Sequence, residues 1–396
     1  MILKDQLEKI VLSQSEWLYR SDRQINRELM DRIRIHQSWV NIITGIRRCG
    51  KSTLLQQLMD FYEKPAYFNF EDHRAYNFGI EDFEKLDQIL DKQKPDAWFF
   101  DEIQNVSGWE RYIRSAHDKG KTVFLTGSNA SLLSKELGAK LTGRHLTHVL
   151  YPFSYREFLI YKDIEPSAES FKKYMSFGGF PEYIKNEEID ILQQLLEDII
   201  TRDVIVRYEI RQEEILKALT LFLISNSGKE FSYNKLSKRF HTGSVNTIIS
   251  YIGFLVNSYL LSSLPLFSSS IKKQLANPKK IYAIDTGLIN ANTLSFSDDL
   301  GRILETIVYI ELCRHKYEIF YHKSDCECDF VVKDSNRQLQ AIQVCYELEN
   351  ENLDREINGI KELESWHLSK KLIITLNQED SFGDIQVLPA WKWLTE

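Results

Sequence analysis

Gly45-Ile46-Arg47-Arg48-Cys49-Gly50-Lys51-Ser52 is the stretch that decides the fold of this chain. It follows a short apolar run rich in β-branched residues, Ser38 to Ile46, and the residues after it, Thr53 to Leu58, have the apolar spacing of a helix. A strand, G-x-x-x-x-G-K-S and a helix in this order are typical of a phosphate-binding P-loop. The sequence therefore predicts an α/β domain with a parallel sheet and a phosphate site at its edge.

The loop also predicts its ligands, ATP and Mg²⁺. Its glycines allow backbone N–H groups to face a phosphate, and the start of the following helix carries partial positive charge. Lys51 is expected to reach the β and γ phosphates, and Ser52 is expected to bind Mg²⁺. The expected nucleotide-binding residues are Gly45, Arg48, Cys49, Gly50, Lys51, Ser52 and Thr53.

A second apolar run, Ala97 to Phe100, ends in the two carboxylates Asp101 and Glu102. A P-loop needs an acid on a neighbouring strand for its metal, and Asp101 is expected to hold Mg²⁺ through water. Glu102 is then expected to polarise the water that attacks the γ phosphate. These residues predict hydrolysis of the nucleotide in addition to binding.

Two further catalytic candidates follow a third predicted strand, Thr122 to Thr126. Asn129 lies just beyond this strand, where it could contact the γ phosphate, although a helix N-cap before Ser131 to Leu133 is an open alternative. Arg144 could stabilise transition-state charge, either in its own subunit or in a neighbouring one. An ordinary surface arginine is the alternative for Arg144.

In this order the segments GIRRCGKS, WFFDEIQ, FLTGSNA and LTGR resemble an AAA+ ATPase. Three more segments, YPFSYREF (Tyr151 to Phe158), FGGFPEY (Phe177 to Tyr183) and YAIDTGL (Tyr282 to Leu288), resemble a widespread bacterial and archaeal group. Its members join an AAA+ ATPase to a conserved carboxyl domain of poorly known function. The resemblance covers the chain from about residue 20 and implies ATP hydrolysis, but it says little about the purpose of that hydrolysis.

The composition fits a multidomain globular protein. The 396 residues carry a net charge of −7, which by itself argues against a protein that coats nucleic acid. No stretch has the roughly 18 apolar residues of a membrane span, and Asp5 and Glu8 interrupt any signal peptide. We expect a cytoplasmic protein without a membrane partner, and its five cysteines suit reduced thiols.

The basic residues are unevenly distributed. The segment from Lys229 to Lys280 contains eight basic residues and one acidic residue, Glu230, so its net charge is +7 and that of the rest of the chain is −14. Its pattern of helix (Ser232 to Phe240), turn, second helix and hairpin predicts a winged helix-turn-helix that contacts duplex DNA. The candidates for DNA contact are Lys235, Lys238, Arg239, Asn246, Thr247, Lys272 and Lys273. A protein-contact module is the alternative.

In the last segment a helix with an acid, Glu305, precedes a hairpin that carries Asp329 and then Gln343-Val344-Cys345. The layout is that of PD-(D/E)XK nucleases, whose active members have Glu-x-Lys at the last position. Here an amide replaces a metal ligand and a thiol replaces an ammonium. We therefore predict a vestigial nuclease centre (Glu305, Asp329, Gln343 and Cys345) without nuclease activity, with Glu347 as the residue that could substitute for Gln343.

The full prediction has four parts. They are an ATPase domain at 1–165 with amino-terminal helices at 1–37, an α-helical lid at 166–212, a winged helix-turn-helix at 213–290 and an α+β nuclease-like domain at 291–396. The predicted function is Mg²⁺-dependent ATP hydrolysis coupled to conformational change and DNA binding. The alternatives are a nucleotide-gated switch with negligible turnover and an ATP-dependent nuclease, and assembly into a homo-oligomer stays open.

Overall fold

The computed structural model describes residues 1–18, 25–35, 39–129, 144–293 and 300–396. The helix predicted from Ser131 and the residues Leu141 to Gly143 lie outside this part of the chain. The described residues form two compact units, 1–150 and 151–396. The second unit contains all three predicted carboxyl-terminal modules, and the boundaries between those modules stay predictions.

Unit 1 is built on a five-stranded parallel sheet with the order β2-β3-β4-β1-β5. Its strands are β1 (Val40–Thr44), β2 (Pro65–Asn69), β3 (Ala97–Asp101), β4 (Val123–Gly127) and β5 (His145–Val149). Every residue of β1, β3 and β4 is buried, as expected for the central strands of a parallel sheet covered on both faces. Because the strands are parallel, the residues that follow β1, β3 and β4 meet at one edge of the sheet.

In the described part of unit 1, five α-helices accompany this sheet. They are α1 (Lys4–Leu18), α2 (Leu29–Arg32), α3 (Lys51–Met59), α4 (Asp82–Leu90) and α5 (Trp109–Asp118). The amino terminus is tied to α4, since the backbone N–H of Ile2 donates to the buried Asp82 carboxylate at 3.2 Å. The helix α3 begins directly after the P-loop, so the loop is held between β1 and α3.

Unit 2 begins with helices, and those between residues 168 and 198 lie within the range predicted for a lid, 166–212. They are α6 (Tyr155–Lys162), α7 (Ala168–Phe177), α8 (Pro181–Asn186), α9 (Ile189–Asp198), which continues into π-helical turns at Ile199–Val206, and α10 (Glu213–Ser225). The first of them starts at Ser154, whose side chain and that of Glu157 form a capping box.

The three segments that suggested the family resemblance beyond the ATPase motifs meet in unit 2. The buried Asp285 carboxylate accepts hydrogen bonds from the backbone N–H groups of Gly179 (2.6 Å) and Leu288 (3.2 Å), and burial raises its pKa to about 6. Phe153 donates its N–H to the Gly179 carbonyl at 2.7 Å. A Cβ at Gly179 would lie 2.3 Å from the Phe153 carbonyl oxygen, so this contact requires glycine. These motifs therefore have a structural role in joining α6, α7 and the start of a later helix.

The basic segment forms a small antiparallel sheet with the order β6-β8-β7 and three helices. In chain order these are β6 (Glu230–Phe231), α11 (Tyr233–Arg239), α12 (Val245–Asn257), β7 (Leu261–Leu264), α13 (Ile271–Ala276) and β8 (Lys279–Ala283). The order of helix, helix and hairpin is the predicted one, with the helix α13 inserted between the hairpin strands. The next helix, α14 (Thr286–Asn292), starts at Asp285, whose side chain caps it.

The remaining residues form α15 (Leu300–Arg314) and a six-stranded mixed sheet with the order β13-β14-β12-β11-β10-β9. Its strands are β9 (Glu318–Lys323), β10 (Glu327–Lys333), β11 (Leu339–Val344), β12 (Lys370–Thr375), β13 (Asp380–Phe382) and β14 (Ile385–Pro389). Helices α16 (Leu353–Lys361) and α17 (Ala390–Trp393) accompany it. The acid-bearing helix and the hairpin of β10 and β11 lie where the sequence predicts them.

Two residues of the basic segment depart from its surface pattern. On α12, Ile249 is 46% exposed, whereas Tyr251 is buried. Lys280, one of the eight basic residues of this segment, has a buried side chain, because on β8 it lies on the face opposite to Lys279. Among the described helices, none is long and apolar enough to span a bilayer.

Candidate nucleotide-binding site

The P-loop has the backbone that its sequence predicts. Gly45, Arg48 and Gly50 all have positive φ, at 150°, 61° and 101°. A Cβ at Gly45 would lie 2.1 Å from the Leu150 carbonyl oxygen, the atom that also accepts a hydrogen bond from the Cys49 thiol at 3.4 Å. Gly45 is therefore required by close packing against the residue that follows β5.

Lys51 and Glu102 lie together at the edge of the sheet. The Lys51 Nζ is 3.1 Å from the Ile46 carbonyl oxygen and 3.5 Å from the Glu102 Oε1. The Gln104 side chain donates to the other Glu102 oxygen. Burial opposes ionisation of Glu102, but Lys51 and Gln104 outweigh it and hold the pKa of Glu102 below its usual value. The Glu102 carboxylate is therefore charged at neutral pH, as a proton acceptor must be.

Asp101 is the centre of a hydroxyl network. Ser52, Thr126 and Tyr67 all hydrogen-bond to its carboxylate, with the Tyr67 hydroxyl 3.1 Å from Oδ2. Burial, together with the neighbouring Glu102, raises the pKa of Asp101. Thr126 also accepts the backbone N–H of Glu102 at 2.8 Å, so one hydroxyl orients both acidic residues. Glu102 itself has a left-handed backbone, with φ of 52°, a strained conformation that is common at functional sites.

The structure places Asn129 and Arg144 differently. Asn129 is buried and follows β4, whose Gly127 is paired with Thr44 of β1, so it lies at the P-loop edge. Arg144 is exposed and precedes β5, whose His145 is paired with Val40 at the opposite end of β1. Arg144 lies beside residue 39, which is six residues before Gly45, the first residue of the P-loop. At about 3.3 Å per residue, this separation is roughly 20 Å along the strands. Arg144 is therefore not part of the site in its own chain.

Three residues of this site were missed by sequence reasoning. Arg27 precedes β1 in the chain and is buried. Its guanidinium donates to the Cys49 carbonyl at 2.7 Å and so holds the backbone of the P-loop. Tyr67 on β2 and Thr126 on β4 each donate a hydroxyl hydrogen bond to the Asp101 carboxylate. Thr126 was recognisable in principle, because it occupies a polar position in an otherwise apolar strand that ends at the site. Arg27 and Tyr67 had no local signal.

The residues present fit ATP and Mg²⁺. A loop of turned backbone, the Lys51 ammonium and the start of α3 suit a triphosphate, and the hydroxyl and carboxylate oxygens of Ser52 and Asp101 are the ligands that Mg²⁺ prefers. Thr53 is the third residue of α3 and lies beside Ser52. The convergence of these groups at one sheet edge supports the predicted ligand set.

The four residues predicted as a vestigial nuclease centre are only partly brought together. Asp329 and Gln343 are adjacent across the hairpin, since the Asp329 N–H donates to the Gln343 Oε1 at 3.1 Å. Glu305 is linked to Asp329 by Lys280, whose ammonium contacts both carboxylates. Cys345 contacts the Glu347 carbonyl oxygen instead, at 2.9 Å, and burial raises its thiol pKa to about 11. The Glu347 side chain is exposed, so the structure does not support its substitution for Gln343.

Comparison with known proteins places these observations in a family. Residues 37–159 match a model described as an AAA domain, and residues 168–299 match a domain of unknown function, DUF8612. An uncharacterized protein of Methanocaldococcus jannaschii is 35% identical over 98% of this chain and 94% of its own length. The chain belongs to the same family of AAA-domain proteins. An uncharacterized protein of Haemophilus influenzae is 29% identical over 90% of this AAA-domain protein and 94% of the relative.

Two solved structures are similar at a lower level. The crystal structure of Cdc6p from Pyrobaculum aerophilum has a TM-score of 0.29 and 14% identity, covering 77% of this AAA-domain protein and 93% of that chain. The structure of the Aeropyrum pernix Orc1 protein in complex with DNA has a TM-score of 0.28 and 13% identity, with coverage of 73% and 90%. Scores this low add no argument about function. The AAA domain and the site geometry support a nucleotide-binding P-loop ATPase.

Proposed function

We propose that this protein hydrolyses ATP at the P-loop of unit 1 and couples nucleotide binding to contact with duplex DNA. The observation that carries the first part is the convergence of Lys51, Ser52, Asp101 and Glu102 at one sheet edge. These residues supply a phosphate-binding cation, oxygen ligands for a metal and a charged proton acceptor.

In the reaction, the loop backbone and Lys51 bind the β and γ phosphates, which releases Lys51 from Ile46 and Glu102. Ser52 and Asp101 would hold Mg²⁺, which neutralises phosphate charge when bound. Glu102 orients a water molecule for in-line attack and accepts its proton. Asn129 assists from β4, and Arg144 would complete the site of a neighbouring subunit, so this proposal includes a homo-oligomer.

The second part of the proposal rests on the surface of the basic segment. Lys235, Lys238 and Arg239 are exposed on α11, Asn246 is exposed and Thr247 half-buried at the start of α12, and Lys272 and Lys273 are exposed on α13. Arg239 lies over the Phe222 ring at 4.3 Å, which leaves its guanidinium at the surface. Charge of one sign on the outside of a two-helix and hairpin module is typical of a phosphate-contacting surface.

The test is the salt dependence of DNA binding. We expect the triple change Lys235→Gln, Lys238→Gln and Arg239→Gln to weaken binding of duplex DNA and to reduce the slope of log affinity against log salt by about 3. Glutamine keeps most of each side-chain stem and removes the charge. Fluorescence anisotropy with labelled duplexes at several salt concentrations measures both quantities.

A matched control removes three charges elsewhere. Lys172, Lys173 and Lys185 are exposed on α7 and α8, outside the basic segment, and their change to Gln should leave the slope unchanged. An equal loss in both triple variants would mean that only net charge matters. Binding of the wild type without salt dependence would favour a protein-contact module instead.

A further inference from the structure

Lys280 occupies the middle of an acidic cluster. Its Nζ lies 3.0 Å from the Glu305 Oε1, 2.9 Å from the Glu327 Oε1 and 3.0 Å from the Asp329 Oδ1. An ammonium has three N–H donors, and each has a carboxylate within hydrogen-bonding distance. The lysine comes from β8 of the basic segment, and the acids come from α15 and β10. The cluster therefore links two of the predicted modules of unit 2.

Lys280, Glu305 and Asp329 are buried, and Glu327 lies at the partly exposed side of the cluster. Lys280 is 3% exposed, and although burial opposes its charge, the three carboxylates hold its pKa well above the usual value. The Tyr282 hydroxyl donates to the Glu305 Oε1 at 2.6 Å. A buried ammonium is tolerated only where its donors are paired, and here the pairing is complete.

The outer carboxylate oxygens of the two β10 acids are also engaged. The Asp329 Oδ2 accepts the Val344 N–H at 3.0 Å, and the Glu327 Oε2 lies 3.5 Å from the Lys323 Nζ. Gln343 takes no part in the cluster, because its Oε1 accepts the Asp329 N–H and its Nε2 donates to the Glu356 Oε2 at 2.5 Å. The amide at the expected third ligand position is thus fixed by neighbours of its own.

Glu305 and Asp329 are the two acids that a nuclease-like centre would use for a divalent metal. We propose that the Lys280 ammonium is a built-in cation that takes the place of this metal. It closes the centre to Mg²⁺ and fixes β8 of the basic segment to α15 and β10. The nuclease-like part of the chain is then a scaffold for the basic segment, and Glu305 and Asp329 serve an ion cluster.

Terbium luminescence tests this proposal directly. Tb³⁺ binds oxygen ligands as other hard cations do, and Tyr282 lies beside Glu305 as a sensitiser. We expect Lys280→Ala to create a Tb³⁺ site of three carboxylates, with an affinity at least about tenfold above that of the wild type. The signal should fall to the wild-type background in Lys280→Ala/Asp329→Asn. Tyr67 beside Asp101 gives a background that is common to all these proteins.

Two controls separate this effect from others. Lys279→Ala removes a neighbouring, half-buried lysine from the same strand and should behave like the wild type. The wild type and Asp329→Asn should give equal signals, because the ammonium already fills the site. If Lys280→Ala unfolds in metal-free buffer, added Ca²⁺ should restore its far-UV circular dichroism.

Three results would overturn the proposal. A wild-type Tb³⁺ signal that depends on Asp329 would show that Lys280 leaves room for a metal. Lys280→Ala that folds without gaining an Asp329-dependent site, or that unfolds and is not restored by Ca²⁺, would show that the ammonium does not stand in for a cation. Mg²⁺-dependent cutting of DNA by the wild type, lost in Asp329→Ala, would contradict it as well.

Discussion

Changing Glu102 to Gln is expected to lower ATP turnover by about 10²- to 10⁴-fold while ATP still binds. The amide fills the same volume but cannot accept the proton of the attacking water. Because Lys51 loses a charged partner 3.5 Å away, it is freer to bind phosphate, so nucleotide affinity should stay equal or rise. Phosphate release gives the turnover, and a fluorescent ATP analogue gives the affinity.

The matched control for this change is Glu84→Gln, an exposed acid on α4 of the same unit. It should leave turnover and affinity unchanged. Turnover of Glu102→Gln within a few-fold of the wild type would remove Glu102 from its proposed role. Loss of both binding and turnover would instead indicate a disturbed loop, because the Glu102 backbone is held by Thr126.

The second large effect is expected at Arg144, whose change to Ala should reduce turnover by about 10³-fold or more. The parallel pairing of β5 with β1 puts Arg144 at the sheet edge opposite the P-loop of its own chain. The proposed role therefore requires that its guanidinium reach the nucleotide of another subunit. A transition-state cation supplied by a neighbour makes hydrolysis depend on assembly. Turnover at increasing protein concentration, with mass measurement, follows this dependence.

Mixing two inactive variants separates action within a subunit from action between subunits. When Arg144→Ala is mixed with Glu102→Gln, some sites combine an intact Glu102 with an intact Arg144 from the neighbour, so part of the activity should return. Arg114→Ala, which removes an exposed arginine from α5, should remain active. Failure of the mixture to recover, or full activity of Arg144→Ala alone, would exclude the proposed role.

The sequence predicted the P-loop side of the site because its chemistry is local. Lys51 and Ser52 are adjacent in the chain, and the apolar run before Asp101 ends where a parallel sheet presents its functional edge. The position of Arg144 was undetermined from sequence, because it depends on the direction of β5 relative to β1. Arg27 was missed for the same reason, since it contacts Cys49 across 22 positions of the chain.

In the carboxyl-terminal part, composition identified a basic segment but not which of its lysines lie at the surface. The basic residues of the segment include Lys280, whose side chain the alternation of β8 directs into the protein. The replacement of Glu-x-Lys by Gln343-Val344-Cys345 was visible in the sequence. The contact of the Lys280 ammonium with Asp329, nearly fifty positions later, was not visible, because only the folded unit brings β8 and β10 together. The sheet strands after residue 346 were not assigned from sequence at all.

The coupling of ATP hydrolysis to DNA binding is tested most directly by the steady-state ATP turnover of the wild type with Mg²⁺, measured with and without duplex DNA. We expect measurable hydrolysis that rises when DNA is present and that no longer responds to DNA in the Lys235, Lys238 and Arg239 triple variant. Negligible hydrolysis combined with ATP-dependent DNA affinity would point to the nucleotide-gated switch. A turnover rate unaffected by DNA, with no change of DNA affinity on ATP binding, would contradict the proposed coupling.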